Sequence, residues 1–443
     1  MIELKANKQT FNQAFVWCTF VLAIFPILTF GLRSVFTIIW AFLGIGCYII
    51  NKEKNKYSKK YILFLIVAVA PFLYLCLSLI YTENLNAGFN RLTKMLPLIV
   101  FPIIFYLNKS TFDHKKIKKV LWFFSISVIL LVVYQILYSL SNLEYLLADL
   151  SNEEIVRNNL SKYTALEKEV INTIKVRRFR NFIIKLTDTH FTYQGLWIAF
   201  VIFILLNKAA QLSKTNNKKS YILIFIALTL LLWMFFISTR MPLMATILAY
   251  IGTLFIFNKM GLKKQLKICA LVLVALVSSY IIFAPLQVRV NEIFKSKFEL
   301  PTKGNDIESY NSINVRNGIY VCAFATIKEN ILFGVGVGDS QDSLNKCYKD
   351  KIGAKIYTWE DYNTHNQYLF FFLASGIIGL LLFLILIYIN FNQALAIKHK
   401  EYLYFIIIIC LISLTENILS RSDGVMFFSL FSGLFLFNIK KLE

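Results

Sequence analysis

Asn366-Gln-Tyr-Leu-Phe-Phe-Phe-Leu-Ala-Ser-Gly-Ile-Ile-Gly-Leu-Leu-Leu-Phe-Leu-Ile-Leu-Ile-Tyr-Ile-Asn390 decides the fold class: between its amide ends it carries no charged residue. A helix of about 20 apolar residues crosses the hydrocarbon of a bilayer, and this run is long enough. Eleven further runs of similar character lie at about 13–30, 33–50, 61–80, 94–108, 120–140, 189–206, 221–239, 241–257, 268–285, 402–420 and 424–439. Each is rich in Leu, Ile, Phe and Val. The expectation is an all-α polytopic membrane protein with about twelve transmembrane helices. The first run has no small-residue cleavage site after it, which reads as a retained anchor instead of a signal peptide. No repeat recurs at a fixed period.

Composition agrees. Of 443 residues, 57% are hydrophobic and 16% charged, with 47 basic against 25 acidic side chains, a formal net charge of +22. Soluble domains average about 25% charged residues, which excludes an ordinary soluble enzyme. A basic chain invites a nucleic-acid reading, but the placement of the charges removes it. The short loops 51–60, 108–119, 207–220, 258–267 and 391–402, with both termini, hold 24 Lys or Arg and 5 Asp or Glu. Lys and Arg beside a span retain a loop in the cytoplasm, so both termini are expected there. The opposite side holds 23 basic and 20 acidic groups, including two long loops at about 141–188 and 286–365. The expected organisation is helices 1–5 in 1–140, an outer loop in 141–188, helices 6–9 in 189–285, a large outer loop in 286–365 and helices 10–12 in 366–443.

The spans are nearly free of charge, whereas transporters often carry charged or Gly/Pro-broken helices near mid-membrane. A transporter or flippase remains the alternative from another class. Unusual polar residues gather instead at the outer ends. His365 sits where an outer loop enters a span, and imidazole titrates in the neutral range expected of a general base; a helix cap is its ordinary alternative. His190 is similarly placed, while His114 and His399 fall in basic loops and read as solvated. Arg240 follows Ser238-Thr239 between two apolar runs, where an Arg is costly unless it meets an anion or water. Arg316 opens a stretch with helical apolar spacing, expected as a helix on the membrane surface or against the bundle. The run Gly334-Val-Gly-Val-Gly338 lacks the Lys-Ser/Thr of a phosphate loop and reads as a tight turn.

Glu416 lies near an outer span end with Arg421, where a carboxylate is either functional or paired with a neighbouring Arg, and Arg91 and Lys94 precede the fourth span, as interfacial residues. Lys175, Arg177, Arg178 and Arg180 face Glu153, Glu154, Glu167 and Glu169 nearby in sequence, as in a solvated amphipathic helix or an anionic-lipid contact. Cys18, Cys47, Cys76, Cys269 and Cys410 lie in spans and pack. Cys322 and Cys347 share an outer loop, where a disulfide is open. No Cys/His cluster has zinc spacing, and no dense carboxylate set suggests a bound divalent cation.

Taken together, Ser-Thr-Arg240, Asn314-Val-Arg316-Asn-Gly with Phe333-Gly-Val-Gly-Val-Gly-Asp339, and Thr364-His-Asn-Gln-Tyr-Leu369 with Gly376-Ile-Ile-Gly379 resemble the O-antigen ligase / O-antigen polymerase superfamily of bacterial membrane glycosyltransferases. Leu414-Thr-Glu416-Asn, Arg421, Gly424-Val-Met-Phe-Phe428 and Asp188-Thr-His-Phe-Thr-Tyr193 look like the version in Bacteroidetes-type members. Phe191 stands where the family more often has Pro. The resemblance implies a GT-C-like architecture and transfer of a glycan from undecaprenyl diphosphate to a lipid A–core or other acceptor sugar. It places that reaction at the periplasmic face of the inner membrane, with no metal or other cofactor and no nucleic-acid partner. It implies His365 as base, with Arg316 and Arg240 on the diphosphate. His190, Tyr193, Asn314, Asn366, Glu416, Arg421 and Arg91 are substrate-binding candidates. A polymerase extending lipid-linked repeats is the alternative within the family.

Overall fold

Apolar sequence in hydrocarbon has one economical solution, since only a helix satisfies its backbone within a single segment. The computed structural model describes residues 2–51, 58–109, 111–157, 168–237, 239–257 and 310–438, together with 281, 287, 291 and 299–301. Among them it is helical throughout, without strands. The helices before residue 260 are α1 (Ile2–Ala23), α2 (Phe30–Asn51), α3 (Lys59–Leu77), α4 (Leu85–Met95), α5 (Pro97–Leu107), α6 (His114–Ser141), α7 (Leu143–Leu147), α8 (Asn152–Arg157), α9 (Lys168–Thr187), α10 (Phe191–Leu212), α11 (Asn217–Phe236) and α12 (Arg240–Phe257). After residue 310 come α13 (Ser312–Glu329), α14 (Ser340–Cys347), α15 (Gln367–Ala396), α16 (Lys400–Ser413) and α17 (Ser422–Asn438).

Among the described residues, eight segments are long and apolar enough to span: α2, α3 with its extension to Ile80, α4 joined to α5, α6, α10, α11, α12 and α15. The protein is a polytopic membrane protein. Of the other expected spans, 13–30 falls on α1, 402–420 on the 14-residue α16 and 424–439 on the 17-residue α17. The span at 268–285 and Cys269 lie outside the described residues apart from 281.

Two compact units are formed, one by residues 1–127 with 297–443 and one by residues 128–296. The first is built around α17, every residue of which from Asp423 to Asn438 is buried. Phe427, Phe431 and Phe435 run up one side of it, and Phe405 of α16 stacks among them. Gly433 is required here, because a Cβ would lie 2.7 Å from the Phe105 ring of α5. Outer helices show the reverse pattern: Phe42 of α2 is 71% exposed, as a bilayer-facing side chain should be. Arg33 of α2 is buried and ion-paired with Asp423, and its Nε donates to the carbonyls of Phe25 and Leu28, both at 2.9 Å. Buried charge is thereby compensated.

The polar interruption in α15 is the decisive irregularity of this unit. Ser375 and Gly376 leave helical geometry, Gly376 at φ +65°. The loop after α13 supplies the missing partners: Val335 N–H donates to Leu373 O (2.9 Å), Gly336 N–H to Ala374 O (3.0 Å), and Ile377 N–H to Ile331 O (2.8 Å). Gly334 and Gly336 also have positive φ, so the glycine run is the tight turn expected. A Cβ on Gly376 would come within 2.1 Å of the Leu332 carbonyl oxygen.

The second unit centres on α10, buried continuously from Tyr193 to Leu205. Gln135 of α6 donates to Gln194 (2.8 Å) and accepts from the Trp233 indole (2.9 Å). Gln194 in turn donates to Thr189 O (2.8 Å), fixing the turn before α10. The expected solvated basic helix is corrected at one position. Arg178 of α9 is 7% exposed, paired with Glu154 and donating to the carbonyls of Tyr145, Ala148 and Asp149. Those carbonyls end short helices and need a donor, which draws the guanidinium inward. His399 is likewise not solvated: it caps α16, accepting from Tyr402 N–H (3.2 Å), and its ring meets His114 edge-on at 6.2 Å.

Gly376→Ala should lower the melting temperature of the detergent-solubilised protein by several degrees, because the positive φ alone costs about 1 kcal/mol or more. Gly31→Ala, with nothing within 4 Å, should leave it unchanged. The hydrogen bond from Arg178 holds the Glu154 carboxyl down at about 2, against 4.5 ordinarily. A depressed carboxylate stabilises the fold above its unfolded value and loses that contribution as pH falls toward its folded value. Glu154→Gln should therefore melt below wild type at pH 6, and melting curves should show the gap closing as the pH drops from 4.5 toward 2.

Candidate active site at the start of α15

The chain reaches α15 through Asn363, Thr364, His365 and Asn366, and polar hydrogen bonds hold each in place. Asn366 caps the helix, its side chain accepting from the N–H groups of Tyr368 and Leu369. His365 has φ +43°, a left-handed conformation that costs a non-glycine residue about 1 kcal/mol or more. It is kept there by its own N–H, which donates to Asn363 Oδ1 at 2.8 Å.

The turn between α16 and α17 closes over this segment. Asn417 Oδ1 accepts from Thr364 Oγ1 (3.0 Å) and from Asn366 N–H (2.7 Å), one residue to either side of His365. Gln367, wholly buried, accepts from Leu419 N–H at 2.8 Å. This stitching sets Glu416 Oε2 3.8 Å from His365 Nδ1, with the two side chains 15% and 26% exposed. Nδ1 itself is shut off from solvent and makes no hydrogen bond.

Arg316 approaches through α13. A reciprocal capping box starts that helix: Asn311 accepts from Asn314 N–H and Asn314 Oδ1 from Asn311 N–H, each at 2.9 Å. Val315, Ile319, Cys322, Ala323 and Ile327, at helical spacing, form the buried face against α14 and the segment 348–357. Cys322 is disulfide-bonded to Cys347, which resolves the pairing left open by the sequence. Tyr357 Oη donates to Val315 O at 2.7 Å. Arg316 and Tyr320 are one helical turn apart and share a face. Burial pushes the Tyr320 phenol up, with Arg316 opposing and Glu416 reinforcing. Arg316 is half-buried and makes no ion pair among the described residues.

Beside this cluster lies a cavity of about 350 Å³ whose wall includes Arg91, Lys94 and Arg421, together with Thr364 and Asn417. Arg91 is fixed by Val337 O (2.9 Å), the Ser340 hydroxyl and the Phe370 ring, 5.4 Å from its guanidinium carbon.

Thus Glu416 and His365 are brought together, Arg316 and Glu416 both act on the charge of Tyr320, and Arg91 and Arg421 line the cavity beside Thr364 and Asn417. Asn314 and Asn366 are present as helix caps. Arg240, His190 and Tyr193 belong to the second unit. There Arg240 opens α12 half-buried, His190 caps α10 by accepting from Thr192 N–H at 3.3 Å, and Tyr193 is 1% exposed. Sequence reasoning missed Asn417, Gln367, Asn363 and Thr364 and ranked Lys94 as merely interfacial. Their one signal was amides and a hydroxyl clustered at apolar span ends.

A protein-family model described as O-antigen ligase matches residues 225–384. That match, over about a third of the chain, supports the superfamily that the sequence motifs resemble. The matched family is one of glycosyltransferase-type enzymes. The matched stretch contains Arg240, Arg316 and His365 and stops before Glu416, Asn417 and Arg421. No curated protein matches the chain.

Breaking the disulfide with Cys347→Ser should cost about 2–4 kcal/mol of stability. Non-reducing peptide mapping should recover the Cys322–Cys347 pair from wild type, and reductant should lower the melting temperature of wild type but not of the variant.

Proposed function

We propose that the protein transfers a glycan from undecaprenyl diphosphate to an acceptor hydroxyl, as an O-antigen ligase acting on lipid A–core or a similar acceptor sugar. The reading rests on one observation above others: His365 is held at a backbone cost with Nδ1 facing Glu416. Strain of this kind persists only where the surroundings impose it, and it clusters at functional sites.

The acceptor oxygen attacks the anomeric carbon of the donor sugar as the bond from that carbon to the diphosphate oxygen breaks. His365 takes the acceptor's proton, and Glu416 stabilises the imidazolium that results. The diphosphate leaves with the bonding electron pair. Arg316 is the candidate to meet that charge, because guanidinium stays protonated and presents a planar donor fork suited to phosphate. A donor aimed at developing charge contributes about 3–4 kcal/mol to lowering a barrier.

The face follows from charge and redox chemistry. Basic short loops argue for cytoplasmic termini. A disulfide between α13 and α14 argues that the His365 side faces an oxidising compartment, the periplasm for a protein of the inner membrane.

His365→Ala and Arg316→Ala, at wild-type membrane levels, should each reduce transfer from lipid-linked glycan by about 100-fold or more. Wild-type transfer in both would refute the mechanism. In a deletion strain, long glycan left on the carrier with bare lipid A–core marks a ligase, and single repeats mark a polymerase.

A further inference from the structure

The C-terminal end of α6 carries a groove that no step of the transfer reading uses. Its wall is made by α6, α7, α9 and α11, and it holds about 590 Å³, a size within the range of small-molecule sites, about 300–1,000 Å³. Leu140, Val176, Phe179, Leu232, Trp233 and Phe236 make most of that wall apolar. Leu140, Leu232 and Phe236 are also exposed, so a lipid chain can enter sideways from the bilayer.

Ser139 interrupts the apolar wall. It is 7% exposed, and its hydroxyl is shut off from solvent with no hydrogen-bond partner. The other serines of α6 show the ordinary arrangement. Ser125, Ser127 and Ser141 each donate to a carbonyl of their own helix, at 2.8, 2.8 and 3.0 Å. A buried hydroxyl left unpaired in an apolar wall is costly unless a ligand meets it. An ester carbonyl is an acceptor that travels with an aliphatic chain.

Charge selects the head group. Lys175 lines the groove, donates to Leu147 O at 2.9 Å and stands 3.9 Å from the fully exposed carboxylate of Asp149. Arg178 also acts on Asp149, but its guanidinium is taken by Glu154 and three backbone carbonyls. These two cations and two carboxylates balance. Arg177 does not line the groove; two residues from Lys175, it lies on another side of α9. The rim thus sets a cation beside an anion, without the excess positive charge that would favour an anionic head group.

We propose that this groove binds a zwitterionic phospholipid, a phosphatidylethanolamine. One acyl chain lies along the groove and Ser139 donates to its ester carbonyl, while Lys175 meets the phosphate and Asp149 the ammonium. None of the lining residues takes part in the transfer reading, so the two stand or fall separately. Occupancy has a structural consequence. Trp233 in the groove wall donates to Gln135, and Gln135 to Gln194, which fixes the turn before α10. A chain packed against Trp233 braces those polar contacts.

The test is lipid titration of the full-length protein, stripped of lipid in detergent and followed by native mass spectrometry. The probes are dioleoyl phosphatidylethanolamine, dioleoyl phosphatidylglycerol and undecaprenyl phosphate. Phosphatidylethanolamine should bind best and raise the melting temperature most. Lys175→Gln should weaken it about tenfold, the worth of one charge-assisted hydrogen bond, and Ser139→Ala about fivefold. Asp149→Asn should weaken phosphatidylethanolamine and leave phosphatidylglycerol unchanged or tighter. Val176→Trp, which fills the groove, should abolish binding of phosphatidylethanolamine.

Phosphatidylglycerol or undecaprenyl phosphate binding wild type as tightly as phosphatidylethanolamine does overturns the assignment. Wild-type affinity in both Lys175→Gln and Asp149→Asn overturns it equally. Melting curves of the lipid-free samples show which variants are folded. Asp149, fully exposed, keeps the test decisive if Val176→Trp does not fold.

Discussion

The carboxamide oxygen of Asn417 accepts hydrogen bonds from the residues on either side of His365, and much of the site hangs on that contact. It joins the turn before α17 to the start of α15, segments about fifty residues apart in sequence. With the bond from Leu419 N–H to Gln367, it opposes Glu416 to His365. Such a contact is strong for a physical reason. Next to hydrocarbon there is no water to replace a lost partner, so an unpaired N–H costs far more than the net worth of a hydrogen bond in solution.

The same constraint governs the break in α15. A helix interrupted at Ser375–Gly376 leaves carbonyls without donors, and the glycine loop 334–336 supplies them. Glycine is needed on both partners because the backbones touch. That interlock anchors the loop between α13 and α14, while the disulfide joins the two helices themselves. The position of Arg316 follows from the anchoring of α13. A local rule about backbone satisfaction thus carries through packing to the placement of Arg316.

Much of the fold was legible because it depends on composition and period. The long uncharged runs announce helices, and Val315, Ile319, Cys322 and Ile327 announce the buried face of α13. Arg316 and His365 stood out because charged or titratable groups at apolar span ends need a reason. What was not legible depends on contacts distant in sequence. Nothing local tells that Asn417 reaches Thr364, that Arg178 turns inward to three carbonyls, or that Arg91, Lys94 and Arg421 line one cavity. Asn314 and Asn366 looked like substrate contacts because polar residues at span ends draw attention, but helix starts need caps for their own sake.

The account's central claim is that Asn417 acts on the chemistry through His365. The direct measurement is a double-mutant cycle on glycan transfer by the full-length protein in nanodiscs, with Asn417→Ala and His365→Ala alone and together. If Asn417 serves to place His365, its substitution slows transfer in the wild-type background and has little further effect once His365 is gone. Two losses that simply multiply would contradict the account, because they would show Asn417 and His365 acting independently.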